Sequence, residues 1–100
     1  DPSSEPGKHT MKEPRFPLGQ IFATPGVLEE VHPEDRLASL ARHAAGDWGN
    51  LDEDDRIENE LAVMRGFRLF SVYQDQNGVK FYLITEADRS ATTFLLPSEY

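Results

Sequence analysis

The sequence of 100 residues contains no cysteine, which excludes disulfide bridges, iron–sulfur clusters, thiol catalysis and every zinc site that needs a thiolate. It has no apolar run near the roughly 18 residues that a membrane-spanning helix requires, and no basic-then-apolar leader opens it. We therefore expect neither a membrane partner nor secretion. The absence of cysteine is compatible with a reducing compartment, and the expected location is the cytoplasm.

Sequence motifs that carry catalysis or cofactors are also missing. The chain has no phosphate-binding loop, no dinucleotide-binding glycine motif, no HExxH pair, no EF-hand spacing and no nucleophile elbow. Its three histidines have structural explanations: His9 lies in a polar tail, His32 flanks a helix cap, and His43 falls in a last helical turn, where an imidazole complements the helix dipole. No cofactor and no metal is predicted.

The chain divides into a tail and one domain. Residues 1–10 consist of Pro, Ser, Gly and charged or polar residues without apolar periodicity, which predicts a disordered tail or a remnant upstream of Met11. Residues 11–100 have the length of a single domain with a modest core.

The pattern of apolar residues predicts an α+β domain. Strands are expected over residues 20–23, 68–73, 79–85 and 91–96, and helices over 25–31, from 33 to near 46, and from a cap at Asp52 to Gly66. Asn77-Gly78 is a strong hairpin signal. The expected fold is a strand, two to three helices and a three-stranded antiparallel meander, with the helices packed on one face of the sheet.

Periodicity also predicts the buried sides of the two longer helices. The second helix has an apolar stripe of Leu37, Leu40, Ala41 and Ala44, and the third is expected to bury Ile57, Leu61 and Met64. The single tryptophan, Trp48, is expected to lie in the core between these helices.

Negative charge is concentrated in the helical half. Residues 29–60 hold eleven acids and three arginines, which accounts for the whole net charge of -8. An anionic helical surface would repel nucleic-acid phosphates and attract a basic protein. Equally, acids in first turns are ordinary helix capping, and a solvated acidic face aids solubility. The acids assigned to the candidate binding face are Glu34, Asp35, Asp52, Glu53, Asp54, Asp55 and Glu58.

A second candidate site is the polar turn between the last two predicted strands. Loops at sheet ends often carry function, and with Tyr73 or Tyr82 this turn would suit a small hydrolase or a nuclease-like domain. Alternatively, the turn is structural: two of its residues cap it and its arginine pairs with a neighbouring acid. The residues concerned are Glu86, Asp88, Arg89 and Ser90.

Both faces of the predicted meander are apolar. Phe70, Val72, Tyr82 and Ile84 alternate with Leu69, Tyr73, Phe81 and Leu83. One face meets the helices, so the other is partly exposed, covered by the proline-rich N-terminal segment, or buried in a homodimer through the sheet.

Three segments resemble a known family. FPLGQIFATPGVLE (16–29), LARHAAGDWGNLDEDD (40–55) and LITEADRSATTFLLPSEY (83–100) are similar to small bacterial proteins described as hypothetical or plasmid-related. The resemblance covers nearly all of the chain from Met11 onward. It implies a cytoplasmic bacterial protein associated with mobile DNA, and it brings no catalytic residue that can be carried over by position.

The leading hypothesis is a non-enzymatic binding module whose acidic helical face docks on a basic protein, without direct contact to nucleic acid. The alternatives are a small hydrolase or nuclease-like domain that uses the polar turn, and a purely structural homodimer.

Overall fold

The fold was obtained as a computed structural model, which describes residues 13–100. The disordered tail predicted for residues 1–10, with His9, lies outside the described residues. The elements are β1 (Gln20–Ala23), α1 (Pro25–Glu30), α2 (Pro33–Ala44), α3 (Glu53–Arg65), β2 (Leu69–Gln74), β3 (Lys80–Thr85), β4 (Ala91–Leu95) and a short 3-10 helix (Pro97–Glu99). The predicted α+β class is confirmed, and the predicted elements occur with small shifts at their ends.

Local capping chemistry explains where the helices begin and end. The Thr24 hydroxyl accepts from the Val27 N–H at 3.3 Å, at the start of α1. The Asp52 carboxylate accepts from the Asp55 N–H at 3.0 Å, at the start of α3. Gly66 ends α3 in the left-handed region with φ of 77°, a conformation that glycine adopts without a steric cost.

The sheet is mixed and has the order β1-β4-β3-β2. The pairs β2–β3 and β3–β4 are antiparallel, which confirms the predicted meander. The first strand joins this meander beside β4 and runs parallel to it. Parallel neighbours need a long crossover connection, and here the three helices and two further strands supply it.

The helices and the N-terminal segment cover one face of the sheet. The buried apolar residues between these segments and the sheet form two clusters. One consists of Val27, Val31, Tyr73, Phe81, Leu83, Phe94 and Leu96, and the other of Phe16, Trp48, Ala62 and Leu69. Trp48 is 2% exposed, so its predicted place in the core is confirmed. Phe16 stacks on it with the ring centroids 6.2 Å apart.

The chain's own C-terminus partly covers the second face of the sheet. The Tyr100 ring lies 6.0 Å from Phe70 and 5.8 Å from Tyr82, and the Arg68 guanidinium lies 5.9 Å from the Tyr100 ring centre. The described part of the N-terminal segment does not cover this face, because Phe16 is buried on the helical side.

The predicted burial of α3 is wrong. Ile57, Leu61 and Met64 are 50%, 39% and 77% exposed, whereas Asn59 and Ala62 are buried. The reason lies at the outer edge of β2. The Asn59 amide donates to the Phe70 carbonyl at 2.7 Å and accepts from the Phe70 N–H at 3.2 Å, so α3 docks through a polar bond to an open strand edge and turns its apolar stripe outward.

The apolar stripe of α2 is only partly buried. Ala44 is buried, Leu40 packs against the core and Leu37 is 71% exposed. The most buried side chain of this helix is instead His43, with 0% exposure. No helix within residues 13–100 is long and apolar enough to cross a bilayer.

Candidate functional site

Four acids in the first half of α3 form an exposed group: Glu53, Asp54, Asp55 and Glu58. Within residues 13–100, no lysine or arginine lies within ion-pair distance of any of them. Repulsion from Asp52, and then from Glu58 and Asp54, raises the pKa of the Asp55 carboxyl. The group is therefore a concentration of negative charge that the described residues do not neutralise.

The predicted acids of α2 lie elsewhere. The Asp35 carboxylate accepts from the Gln76 backbone N–H at 2.9 Å and from its side-chain amide at 3.1 Å, so it ties α2 to the β2–β3 hairpin. Glu34 is exposed, and its carboxylate lies 3.9 Å from the His32 ring. Asp35 thus lies beside the β2–β3 turn, whereas α3 docks on β2 through Asn59 at Phe70.

Two further acids of the helical half are neutralised by arginines. Asp47 accepts from Arg42 at 2.7 Å and 3.1 Å, and this bond holds its pKa below the usual range. Glu60 accepts from Arg15 at 2.9 Å and 3.0 Å, with the same effect on its pKa, and it also accepts from the Trp48 indole at 3.0 Å. These acids hold the tryptophan loop and the N-terminal segment in place, and they are not part of a free anionic surface.

The exposed apolar residues of α3 lie between its acids. Successive residues of a helix are about 100° apart, which places Ile57, Leu61 and Met64 on the side opposite the buried Asn59 and Ala62. On the same rotation, Asp54 and Glu58 border this stripe on one side, together with Arg65 in the last turn, and Glu53 and Glu60 border it on the other. We call the set Asp54, Ile57, Glu58, Leu61 and Met64 the α3 surface.

A groove adjoins the α3 surface. It has a volume of about 560 Å³ and runs between α3 and the segment that leads into β2. Its apolar lining includes Leu51, Leu61, Phe67 and Phe70. Its charged lining consists of two acids and two arginines: Asp55, Glu58, Arg65 and Arg68. Phe67 is 57% exposed, so an aromatic ring also borders this groove without being covered.

The polar turn has a structural role at both of its capping residues. The Asp88 carboxylate accepts from the Ser90 N–H at 3.0 Å, and its bonds to Ser90 lower its pKa. The prediction that these two residues cap a tight turn is confirmed. Glu86 is exposed in the same turn, and its backbone carbonyl accepts from the Arg89 N–H at 2.9 Å.

The prediction that Arg89 pairs with an acid is wrong. Its guanidinium donates to the Phe67 carbonyl at 2.7 Å and to the Ala62 carbonyl at 3.0 Å. The Ala62 carbonyl also accepts from the Gly66 and Phe67 N–H groups at 2.9 Å and 3.1 Å. Carbonyls at the C-terminal end of a helix carry partial negative charge, so they attract this cation. The guanidinium also lies 5.6 Å from the centre of the Phe16 ring. Arg89 thus joins the turn to the C-terminal end of α3.

The two tyrosines named for a hydrolase do not complete a site with this turn. The Tyr73 hydroxyl is buried and donates to the Asp47 carbonyl at 2.5 Å, and burial raises its pKa. Tyr82 packs against Phe70 with the ring centroids 4.8 Å apart. Within the described part of the chain, neither hydroxyl makes a hydrogen bond to the turn.

A row of hydrogen-bonded polar side chains crosses the core beneath α2. One His43 ring nitrogen lies 2.5 Å from the Ser71 hydroxyl and the other lies 2.9 Å from the Thr85 hydroxyl. The Thr85 hydroxyl lies 2.7 Å from the Thr92 hydroxyl, which donates to the Leu18 carbonyl at 2.8 Å. All four side chains that form these hydrogen bonds are buried, so a substrate has no access to them.

The prediction that His43 complements the helix dipole is wrong. Complementing the dipole requires a charged imidazole, but burial, with a smaller effect from the charge of Arg89, lowers the pKa of His43 from 6.5 to about 4. The ring is neutral at pH 7 and serves as a hydrogen-bonding core residue.

Comparison with known proteins adds no assignment. No protein-family model, curated protein or solved structure matches the chain, and the resemblance to plasmid-related proteins stays a prediction. Within residues 13–100, no three or more histidine or acidic side chains are grouped so that they could hold a metal ion.

Proposed function

We propose that this chain is a non-enzymatic protein-binding module that docks on a basic protein through the α3 surface. One observation carries the proposal: acids without a cationic partner in the described residues border apolar side chains that point away from the core. Either feature alone is common on a protein surface. Together they describe a surface that offers both charge and apolar area to the same partner.

The charge of the α3 surface selects the sign of the partner. Clustered carboxylates attract a surface rich in Lys and Arg and speed its association, and they repel nucleic-acid phosphates. Both effects weaken as salt rises, because exposed charges are screened beyond about 8 to 10 Å at physiological ionic strength.

The apolar residues select the shape of the partner. Ile57, Leu61 and Met64 form a narrow stripe, and the groove of about 560 Å³ lies beside it. An amphipathic helix presents apolar anchors at i, i+3, i+4 and i+7 to such a groove. The partner we propose is therefore a basic amphipathic segment, whose apolar side meets the stripe while its Lys and Arg side chains meet Asp54 and Glu58.

The cellular setting is part of the same proposal. A chain without cysteine suits a reducing compartment such as the bacterial cytoplasm. A basic partner in the setting of mobile DNA would be a DNA-binding or DNA-processing protein, contacted through protein surfaces and not through the nucleic acid.

A designed peptide tests the proposal directly. The probe is a fluorescently labelled helical peptide of Leu and Lys with its leucines on one side, and binding is measured by fluorescence anisotropy. The double variant Asp54→Lys/Glu58→Lys is expected to weaken binding by about tenfold or more. The matched control Glu29→Lys/Glu30→Lys makes the same change in net charge on α1, where both acids are exposed, and should change the affinity only slightly.

A second arm tests the apolar part. A peptide with the same number of lysines but with serine in place of leucine should bind more weakly to the wild-type chain. Equal weakening by the two double variants would show that only net charge matters. Equal affinity for the two peptides would show that the apolar stripe takes no part in binding. Either result would overturn the proposal.

A further inference from the structure

The strand β1 leaves one side of its backbone open. The N–H groups of Gln20 and Thr24 face β4, where they donate to the Ser90 and Phe94 carbonyls at 3.0 Å and 3.1 Å. Backbone groups alternate in direction along a strand, so those of Ile21 and Ala23 point away from β4. Within residues 13–100, no strand pairs with this side.

The opposite edge of the sheet is closed by the chain itself. The Val72 N–H donates to the Trp48 carbonyl at 3.2 Å, and the Asn50 N–H donates to the Val72 carbonyl at 2.8 Å. The Asn59 side chain satisfies both backbone groups of Phe70. Natural sheets protect their edges against pairing with another chain. Here neighbouring segments cover the edge of β2, whereas among the described residues β1 is protected only by its shortness of four residues.

The surroundings of the open edge are mainly apolar, and no carboxylate lines the groove beside it. Ile21 and Phe22 are 46% and 50% exposed on the two faces of the strand. A groove of about 280 Å³ lies between β1 and α2, and its lining includes Leu37 and Leu40, with Arg36 as its one charged residue. Leu37 is 71% exposed. The strand has no charged or proline residue within it, and those are the residues that discourage pairing at an edge.

The distribution of charge favours a second copy of this chain as the occupant. Two copies of a chain with net charge -8 repel one another, so self-association requires a contact without carboxylates. A two-fold contact brings identical surfaces together. The run of residues 16–28 contains no charged residue, whereas a two-fold contact at α3 would oppose its acids.

We propose that two copies of this chain form a dimer by pairing their β1 strands in antiparallel fashion across a two-fold axis at Phe22. Ile21 then pairs with Ala23 of the partner subunit, and the reverse pair forms on the other side of the axis. This gives about four backbone hydrogen bonds and places the two Phe22 side chains opposite each other in the close, non-hydrogen-bonded position. The two sheets become one continuous sheet.

Sedimentation velocity of the full chain, from about 5 to about 300 μM, tests the dimer, since so short a strand suggests one of the smaller, weaker interfaces. The variant Phe22→Lys places two like charges on the axis and should raise the dissociation constant by about tenfold or more. The matched control Phe67→Lys replaces an aromatic residue of similar exposure, 57%, and should leave it within about twofold.

A mixture of two variants tests the register. Phe22→Lys and Phe22→Glu should each dimerise more weakly than the wild type when alone and should form a tighter heterodimer when mixed, because only the axial position places residue 22 opposite itself. A wild-type chain that stays monomeric at the highest concentration, or a Phe22→Lys variant that dimerises like the wild type, overturns the proposal. If the mixed variants form no heterodimer, the proposed pairing of Phe22 with itself is wrong.

Salt separates this proposal from the proposed function. Raising NaCl from about 50 to about 500 mM screens the repulsion between two acidic copies and should strengthen the dimer, whereas it should weaken binding of the basic peptide to the α3 surface. Phe22 lies outside both the α3 surface and the groove beside it, so failure of the dimer leaves peptide binding to Asp54 and Glu58 as a separate question.

Discussion

Acidification should destabilise the fold through His43. The ring is fully buried between the Ser71 and Thr85 hydroxyls, and its pKa falls from 6.5 to about 4 in the folded chain. Between these two values the unfolded chain binds a proton that the folded chain does not. The free energy of unfolding therefore decreases as the pH falls below 6.5, and this decrease ends below about pH 4.

The size of the effect follows from the shift. One pKa unit corresponds to about 1.4 kcal/mol, so the full contribution of His43 is about 3 kcal/mol, of which about 2 kcal/mol should already be lost at about pH 5. Small domains have total stabilities of about 5–15 kcal/mol. Titration of this one imidazole should thus be visible in an unfolding curve.

The assay compares wild type with His43→Gln by urea unfolding, followed by far-UV circular dichroism, at several values between about pH 7 and about pH 4. Glutamine retains a donor and an acceptor but does not titrate. Carboxylates with lowered pKa values, such as Asp47 and Glu60, also lose stabilising bonds in acid. Because both proteins contain them, their contribution cancels in the difference.

The wild-type advantage over His43→Gln is expected to decrease by about 3 kcal/mol between about pH 7 and about pH 4. A difference that stays constant over this range would show that His43 is solvated or protonated in the folded chain. That result would refute its assignment as a neutral core residue.

Two other predictions concern the contacts that hold α3 against the sheet. Asn59→Ala removes both bonds to the Phe70 backbone and should lower the free energy of unfolding by about 1–3 kcal/mol in urea titration; the neighbouring Glu58→Ala should stay within about 0.5 kcal/mol, and equal effects would contradict the docking role of the amide. Arg89→Lys keeps the charge but lacks the planar fork that reaches the carbonyls of Ala62 and Phe67, so it should lower the same free energy by about 1–2 kcal/mol. An unchanged midpoint would mean that charge alone suffices there.

The parts of the fold that depend on residues close together in the sequence could be predicted. Thr24 with Pro25 and Asp52 mark helix starts through bonds to amides three residues away, and Gly66 marks an end through its own backbone angle. Asn77-Gly78 fixes a hairpin between the strands on either side of it. Such signals need no knowledge of the rest of the chain.

Contacts between distant residues could not be predicted in this way. Asn59 and Ala62 form the buried side of α3 because an open strand edge at Phe70 offers two backbone groups to an amide, and nothing in the helix sequence announces that edge. The apolar spacing of Ile57, Leu61 and Met64 is the same whether the stripe meets a core or a partner. For the same reason, the sequence did not show that Arg89 would find carbonyls and not an acid.

The orientation of α3 also decides which parts of the candidate site are free to bind. Had the stripe been buried, the acids of α3 would have formed a solvated charged face of the ordinary kind. Because the helix is held by Asn59 at its opposite side, apolar area and unneutralised carboxylates share one exposed surface. That surface cannot meet a copy of itself without opposing its own charges, while the uncharged β1 edge can. The chain therefore offers two unlike contacts, a charged one suited to a basic partner and a neutral one suited to its own copy.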